Sequence, residues 1–230
     1  MNVKILEFVE GAQKATGLTV IIDVFRAFSV ACYAFDAGAL SVIATGSAND
    51  AFILKSKTNN SVLVGEKDEK KINGFDFGNS PTEIIKTNLS NKSIIHTTTA
   101  GTYGLLNAKN ANLLLTGSLV NAGALIRYIK SFNPENVSLV AMGFRATHSA
   151  EEDLLCAEII ADGLYNKTNN YTERISNLRN TSGKRFFFPE NISFSPPTDF
   201  FLCTALDKFN FVLQAVKRDD GNINLVKIDI

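Results

Sequence analysis

Tryptophan is absent from this chain of 230 residues, and cysteine occurs only three times. Cys32, Cys156 and Cys203 are an odd number of widely spaced thiols, and no CxxC pair or His/Cys cluster indicates a zinc site. Each cysteine lies among apolar residues, which is typical of a buried thiol in a reducing cytoplasm. The aromatic content comes mainly from 17 phenylalanines, which we interpret as core-filling side chains.

An excess of charge of one sign is also missing, because 23 Lys and Arg residues balance 23 Asp and Glu residues. The composition therefore indicates neither a nucleic-acid surface nor an anionic membrane as a partner. No apolar run is long enough to span a bilayer, and the acidic N-terminus lacks the plan of a signal peptide. We expect a cytoplasmic protein. A homo-oligomer is compatible with this composition, and the sequence leaves the oligomeric state open.

The composition, 45% hydrophobic and 20% charged, suits one soluble globular unit. Strand-like and helix-like segments alternate, which favours an α/β fold with a layered mixed β-sheet flanked by helices. Strands are predicted at 3–9, 18–22, 41–45, 61–65, 93–97, 112–116 and 136–142. Helices are predicted at 28–37, 48–57, 81–88, 101–108, 119–132 and 150–164.

The C-terminal third has a different character. Residues 166–182 are polar and predict either a loop or a short exposed helix. A phenylalanine-rich segment begins after residue 186, and a helix is predicted near 198–208. Two apolar runs then flank D-D-G-N at 219–222, which predicts a C-terminal β-hairpin. We expect one domain over 1–230 with this hairpin appended; a smaller C-terminal subdomain from about residue 166 is the alternative.

Polar side chains follow several predicted strands at the point where each strand ends. Asp23 closes the run L-T-V-I-I, and Arg26 follows three residues later. The same pattern places Glu66, Thr97–Thr99 and Arg145 after later strands. We therefore expect these groups to converge on the carboxyl edge of the sheet, the usual place for a small-molecule site in α/β proteins. Together they predict a site for an anionic ligand held with a hard cation.

Several of these acids are candidate Mg²⁺ ligands. Glu66 and Asp76 are hard oxygen donors on a glycine-punctuated loop, and Mg²⁺ typically takes one or two carboxylates plus waters and substrate oxygens. A solvated charged loop is the simpler interpretation for Asp68 to Lys70. Three consecutive acids at 151–153 open a helix. They either complement the helix dipole or, because they repel one another, bind a cation.

Candidate anion-binding groups accompany these acids. Thr97–Thr99 and Thr102 lead into a helix, where free N–H groups and hydroxyls bind phosphate or sulfonate; capping of that helix is the alternative. Arg26 and Arg145 are expected to clamp oxyanions through two parallel hydrogen bonds. For Arg26, satisfying nearby backbone carbonyls is the alternative interpretation.

Six blocks occur in a specific order: I-D-V-F-R-A-F, then G-E followed by I-N-G-F-D-F-G-N-S-P, T-T-T-A-G-T, G-S-L-V-N-A, E-D-L-L-C-A and D-F-F-L-C-T-A-L-D-K-F-N. From about residue 18 to the C-terminus they resemble the 2-phosphosulfolactate phosphatase family. The resemblance implies a Mg²⁺-dependent phosphatase that converts (2R)-2-O-phospho-3-sulfolactate to 3-sulfolactate and phosphate, a step in coenzyme M biosynthesis. One block departs from the family's G-E-R-G-G loop, because residues 65–69 read G-E-K-D-E.

The residues that match family motif positions are Asp23, Arg26, Glu66, Asp76, Asn79, Thr97, Thr98, Thr99, Gly101, Thr102, Ser118, Asn121, Arg145, Glu152 and Asp153. Within this set we assign catalytic roles to Asp23, Arg26 and Arg145. Metal binding is assigned to Asp23, Glu66, Asp76, Glu152 and Asp153. Substrate binding is assigned to Asn79, Thr97, Thr98, Thr99, Gly101, Thr102, Ser118 and Asn121.

The favoured hypothesis is metal-assisted hydrolysis of a small anionic phosphomonoester. Asp23 is either a metal ligand or a nucleophile that forms an aspartyl-phosphate. The second acid of a D-x-D phosphatase motif is missing, since Asp23 is followed by V-F, which favours a ligand and direct attack by water. Two alternatives stay open: a phosphatase of another small phosphorylated hydroxy acid, and a non-catalytic anion-binding module.

Overall fold

The computed structural model describes residues 1–230 and contains ten β-strands and nine α-helices. The strands are β1 (Asn2–Glu7), β2 (Gly17–Ile22), β3 (Ser41–Ala44), β4 (Ser61–Lys67), β5 (Lys70–Lys71), β6 (Ser93–Thr97), β7 (Ala111–Gly117), β8 (Asn136–Ala141), β9 (Phe211–Lys217) and β10 (Ile223–Asp229). The helices are α1 (Phe8–Lys14), α2 (Ala27–Asp36), α3 (Ala48–Lys57), α4 (Pro81–Ile84), α5 (Gly101–Asn107), α6 (Ala122–Phe132), α7 (Glu151–Leu164), α8 (Thr172–Asn177) and α9 (Pro197–Cys203). None of these helices combines the length and apolar character needed to cross a membrane.

The ten strands form one mixed sheet in the order β1-β8-β2-β7-β9-β10-β3-β6-β4-β5. The predicted α/β class, with a mixed sheet flanked by helices and a C-terminal hairpin, is confirmed. The hairpin, however, lies in the middle of the sheet. It joins a parallel group, β1-β8-β2-β7, to a second parallel group, β3-β6-β4, through antiparallel pairings on both sides. The last strands of the chain therefore connect the two groups instead of extending an edge.

Alternation along the strands explains how the sheet is covered. Neighbouring side chains of a strand face opposite sides of the sheet. In β2, Ile21 joins the largest apolar cluster while Ile22 joins a second one. In β6, Ile94 joins that same largest cluster while Ile95 faces a third. Both strand groups therefore present one face to a shared core, and each packs its other face against different helices.

Helix α2 lies inside that shared core, because every residue from Ala27 to Phe35 is buried. The helix is almost entirely apolar in sequence, so it can be surrounded on all sides. Apart from Tyr33, only Ser29 brings a hydroxyl into this helix. That hydroxyl hydrogen-bonds to the carbonyl of Val24 and to Ser118 Oγ. The sheet thus wraps around α2, which follows directly after Asp23 and Arg26.

This wrapping corrects the expectation of a single shared edge. Three antiparallel pairings separate β7 from β3, so the two parallel groups run in opposite directions within the sheet. Each strand is rotated by about 20–25° relative to its neighbour, and over several strands this rotation can turn opposed carboxyl ends toward each other. A methyl group placed on Gly101, after β6, would lie 2.8 Å from Asp23 Oδ2, after β2. The predicted polar groups therefore meet between two groups of strands.

The first strand is shorter than predicted, and the structure decides between the two alternatives for residues 166–182. The predicted strand 3–9 ends at Glu7, because Phe8 has a left-handed φ of 62° and α1 begins there. The polar stretch 166–182 contains α8, followed by short 3₁₀ turns. Residues Leu178, Phe186 and Phe200 then pack into the same apolar cluster as β2 and α7. The chain between α7 and β9 is thereby fixed over the end of β2.

Candidate active site

A polar cavity lies where the loops after β2, β4, β6 and β8 meet, with an empty volume of about 420 Å³ that includes open solvent. Its charged lining consists of four acids and three arginines. The lining residues are Asp23, Phe25, Arg26, Glu66, Asp68, Glu69, Asn79, Thr99, Ala100, Gly143, Phe144, Arg145 and Arg185. The structure therefore brings together Asp23, Arg26, Glu66 and Arg145, as the sequence predicts.

Asp23 ends the apolar strand β2 and is only 6% exposed. Its Oδ1 accepts a hydrogen bond of 3.1 Å from the N–H of Ala27, in the first turn of α2. Burial, together with the negative charges of Glu66 and Glu152, raises the pKa of Asp23 to about 6. Asp23 is thus a fixed carboxylate whose charge the protein alone stabilises poorly.

Glu66 is the second-last residue of β4, and its side chain connects two turns of the cavity wall. Its Oε1 accepts the N–H of Thr99 at 2.7 Å, and its Oε2 accepts the N–H of Glu69 at 2.7 Å. The hydroxyl of Thr99 donates to the same Oε2 at 3.1 Å. The carboxylate therefore fixes both the turn after β6 and the β4–β5 turn, while its residue still lines the cavity.

Glu152 and Asp153, in the first turn of α7, are buried behind the end of β2. The two oxygens of Asp153 accept the N–H groups of Val24 and Gly143, each at 2.8 Å. Burial, with the charges of Glu152 and Asp23, raises the pKa of Asp153 well above its usual range. Asp153 thus ties the β2 end to the β8 end. Glu152 Oε2 is buried without a hydrogen-bond partner.

Asp76 is not brought to the cavity. The backbone at Asp76 and Phe77 pairs with Leu63, in the middle of β4, so Asp76 lies about three residues before the strand end that carries Glu66. Its Oδ2 accepts from Lys55 Nζ at 2.6 Å and from the N–H of Leu63 at 2.7 Å. This carboxylate therefore contributes to the loop over β4, and the structure separates it from the other predicted metal ligands.

The predicted substrate-binding residues divide into two sets. Asn79 and Thr99 line the cavity, and Asn79 Oδ1 lies 3.1 Å from His96 Nε2. Burial lowers the pKa of His96 to about 4, so that ring is neutral at neutral pH. The others serve the surrounding structure: Thr97 bonds Thr45, Thr98 and Thr102 bond each other, Ser118 and Asn121 form a capping box, and Gly101 packs against Asp23.

Arg26 is committed to protein partners. Its Nη1 donates to Asp199 Oδ2 at 2.8 Å and to the carbonyl of Phe194 at 2.6 Å, and its Nη2 donates to the carbonyl of Glu69 at 3.1 Å. Asp199 is fully buried. Arg145, in contrast, is half exposed and lies 3.3 Å from Asp68 Oδ1. Arg26 therefore holds the cavity wall together. Two of its three hydrogen bonds go to backbone carbonyls, as the alternative interpretation of this residue expects.

Sequence reasoning missed two residues of this site. Arg185 lines the cavity from a 3₁₀ turn, and Asp199 lies behind Arg26 in α9. Neither follows a strand, so the pattern that marks the other residues does not include them. The available signals were the acid in D-F-F-L-C-T and the second of two adjacent basic residues before three phenylalanines, in K-R-F-F-F.

The donors at the cavity are of the type that Mg²⁺ prefers. Asp23 and Glu66 supply hard carboxylate oxygens, and a cation beside Asp23 would relieve the charge repulsion that raises its pKa. The orphaned oxygen of Glu152 adds a third buried carboxylate nearby. No group of three or more His, Cys, Asp or Glu side chains is arranged to hold a metal ion by itself. The residues therefore fit Mg²⁺ held by few carboxylates together with waters and substrate oxygens.

The raised pKa of Asp23 predicts a pH-dependent gain in stability for Asp23→Asn in metal-free buffer. The folded-state pKa of about 6 exceeds the usual 3.8, so the stabilising contribution of the protonated form is lost as pH rises through 6. The ionised group then costs the wild type up to about 3 kcal/mol. Thermal melts should show Asp23→Asn to be the more stable protein at pH 8 and equal to wild type near pH 4. A less stable variant at pH 8 would contradict this.

Comparison with known proteins agrees with the geometry. A family model described as 2-phosphosulpholactate phosphatase matches residues 4–182. The chain is 32% identical over 213 residues, 91% of each protein, to a probable 2-phosphosulfolactate phosphatase of Bacillus subtilis. It is also 32% identical over 202 residues to one from Thermotoga maritima, covering 84% of this chain and 86% of the relative.

Proposed function

This chain belongs to the 2-phosphosulfolactate phosphatase family, and on that premise we propose that it hydrolyses (2R)-2-O-phospho-3-sulfolactate to 3-sulfolactate and phosphate with the assistance of Mg²⁺. The observation that carries the proposal is the cavity itself. A buried carboxylate, Asp23, faces a small space whose lining also supplies three arginines. Oxyanions with an accompanying cation are the ligands that such a lining stabilises.

The charge pattern favours a substrate with several acidic groups. The proposed substrate carries a phosphate, a carboxylate and a sulfonate, and needs separate positive groups for them. Arg145 and Arg185 lie on different loops of the cavity, after β8 and between α8 and α9. Separated guanidinium groups favour a small polyanion over a simple monoester, because each added acidic group finds its own donor.

Asp23 and Glu66 would hold the cation, which supplies Lewis-acid polarisation of the phosphoryl oxygens when bound. Asp23 is a ligand in this proposal and not a nucleophile, so water attacks phosphorus directly. The hydrogen bond from Ala27 fixes one oxygen of Asp23, and Glu66 fixes Thr99 beside it. The guanidinium groups neutralise charge that develops on the phosphoryl oxygens.

The test is release of inorganic phosphate from 2-phospho-3-sulfolactate by purified protein, with added Mg²⁺ and with excess EDTA. We expect activity that depends on Mg²⁺ and is abolished by the chelator. Full activity in EDTA would remove the metal from the mechanism. Tight binding of the substrate without any phosphate release would instead support an anion-binding module.

Gly101→Ala should lower kcat/KM by about 100-fold, because a displacement of about 1 Å at a reacting group costs that much. The added methyl group would lie 2.8 Å from both Asp23 Oδ2 and Ala27 Cβ, so Asp23 must move. Gly78→Ala is the matched control, since its methyl group would meet nothing closer than 3.6 Å. Kinetics of Gly101→Ala that match those of the control would show that the position of Asp23 is not critical.

A further inference from the structure

Arg185 is a cavity residue that neither the sequence pattern nor the family match identifies. It lies in the 3₁₀ turn Ser182–Phe187, just beyond the matched residues 4–182. Its side chain is only 17% exposed, yet it lines the same cavity as Asp23. A mostly buried guanidinium at the cavity wall requires an explanation in terms of its partners.

Most donors of Arg185 have no acceptor in the protein. Its Nη2 donates to the carbonyl of Phe25 at 3.1 Å. Its Nε lies 3.1 Å from Glu69 Oε1, but the two groups are not aligned for a hydrogen bond. Its Nη1 makes no hydrogen bond, although Nη1 of Arg26 makes two. A guanidinium has five N–H donors, and leaving them unpaired away from bulk water is costly.

The guanidinium of Arg185 is nevertheless held in place. Its Cζ lies 5.0 Å from the ring centroid of Phe144, 5.3 Å from that of Phe186 and 5.9 Å from that of Phe25. Contacts of this length between a cation and ring faces are attractive. Three rings around one guanidinium restrict its rotamers, so it loses little further freedom when an anion binds.

The three arginines of the cavity therefore differ in what they can offer a ligand. Both Nη atoms of Arg26 already donate hydrogen bonds, to Asp199, Phe194 and Glu69. The side chain of Arg145 is half exposed and lies beside Asp68. Only Arg185 is both fixed and supplied with free donors. Its ion pair with Glu69 joins one nitrogen to one oxygen. Burial raises the pKa of Glu152 and the positive charge of Arg185 partly offsets this, but the two side chains make no hydrogen bond with each other, so Arg185 has no bidentate partner.

We propose that Arg185 binds the phosphoryl oxygens of the substrate, and that Arg26 is a positioning residue that holds the cavity wall. This rests on the proposed phosphatase function, and it transfers the anion-clamping role from Arg26, where the sequence places it, to a residue 159 positions later. The ligand class is a phosphate dianion. Two of its oxygens can accept two parallel N–H groups on one edge of a guanidinium, a geometry that an ammonium group cannot reproduce.

The experiment compares Arg185→Ala, Arg185→Lys and the control Arg179→Ala. Arg179 lies in the neighbouring turn, stacks on Phe187 with its Cζ 4.4 Å from the ring centroid, and does not line the cavity. Calorimetry measures the affinity for inorganic phosphate in the presence of Mg²⁺, phosphate release gives kcat/KM, and thermal melts confirm folding.

We expect Arg185→Lys to lose about tenfold or more in both phosphate affinity and kcat/KM, and Arg185→Ala to lose more. Millimolar guanidinium should restore part of the activity of Arg185→Ala, because it fits between the three rings. Arg179→Ala should match the wild type. Folded Arg185→Ala with wild-type phosphate affinity would overturn the proposal. A wild type that binds phosphate but releases none would refute the proposed function alone, while the binding measurement still decides the role of Arg185.

Discussion

Asp23→Asn should lower the rate of phosphate release by about 100-fold or more at low Mg²⁺, and excess Mg²⁺ should restore part of the rate. The carboxylate lies at the end of β2 with one oxygen fixed by Ala27 and with little solvent access. An amide of the same shape keeps that hydrogen bond but binds a cation weakly, so more metal is needed. If Asp23 were a nucleophile, no metal concentration would restore the rate, because an amide cannot form an acyl phosphate.

The measurement is the rate as a function of Mg²⁺ concentration for wild type, Asp23→Asn and Asp76→Asn. Asp76 has the same chemistry and was also predicted as a ligand, but its carboxylate is bound to Lys55 and Leu63. We therefore expect Asp76→Asn to keep the wild-type Mg²⁺ dependence. An inactive Asp23→Asn with normal Mg²⁺ affinity, or a trapped phosphorylated Asp23 in the wild type, would contradict the ligand role.

Asp199→Ala is expected to have the largest effect on stability, a loss of about 3–5 kcal/mol. Asp199 is fully buried and forms an ion pair of 2.8 Å with Arg26, which is 3% exposed. It also accepts hydrogen bonds from Ser80 Oγ at 2.7 Å and from the N–H of Thr82 at 3.0 Å. Truncation leaves a buried guanidinium and two further donors without their acceptor. Activity should fall as well, since Arg26 anchors the turn at Glu69.

Urea unfolding of wild type, Asp199→Ala and Asp220→Ala measures this effect. Asp220 forms a 3.0 Å ion pair with Arg218 on the surface, where both side chains are more than a third exposed. Such a pair contributes about 0–1 kcal/mol, so Asp220→Ala should be close to wild type. Equal losses for the two variants would mean that the buried pair adds no more than a surface one.

The strand ends were predictable because each local pattern carries its own information. An apolar β-branched run that stops at a polar residue marks both the strand and the side chain at its carboxyl end, as at Asp23 and Glu66. The position of the hairpin in the sheet was not predictable, since the sequence around Gly221 specifies a turn but not which strands pair with the hairpin. Only pairing of β9 with β7 and of β10 with β3 places it between the two strand groups.

The role of Arg26 illustrates why roles are harder to predict than positions. Its place after β2 is a local property, but its partner Asp199 is 173 residues away. Arg185 could not be predicted for the same reason, because it is far from β2 in the sequence. It reaches the cavity because Phe186 and Phe200 anchor its segment in the core beside β2. Asp76 shows the opposite case. Its local sequence suggests a metal ligand, but backbone pairing with β4 places its carboxylate beside Leu63 and Lys55 instead of in the cavity.

The most direct test is a crystal structure of the protein soaked with Mg²⁺ and 3-sulfolactate. We predict a cation bound by Asp23 in the cavity, with the acidic groups of the ligand on the arginines that line it. A ligand bound outside this cavity, or a cation whose protein ligands do not include Asp23, would contradict a metal-assisted phosphatase centred on the end of β2.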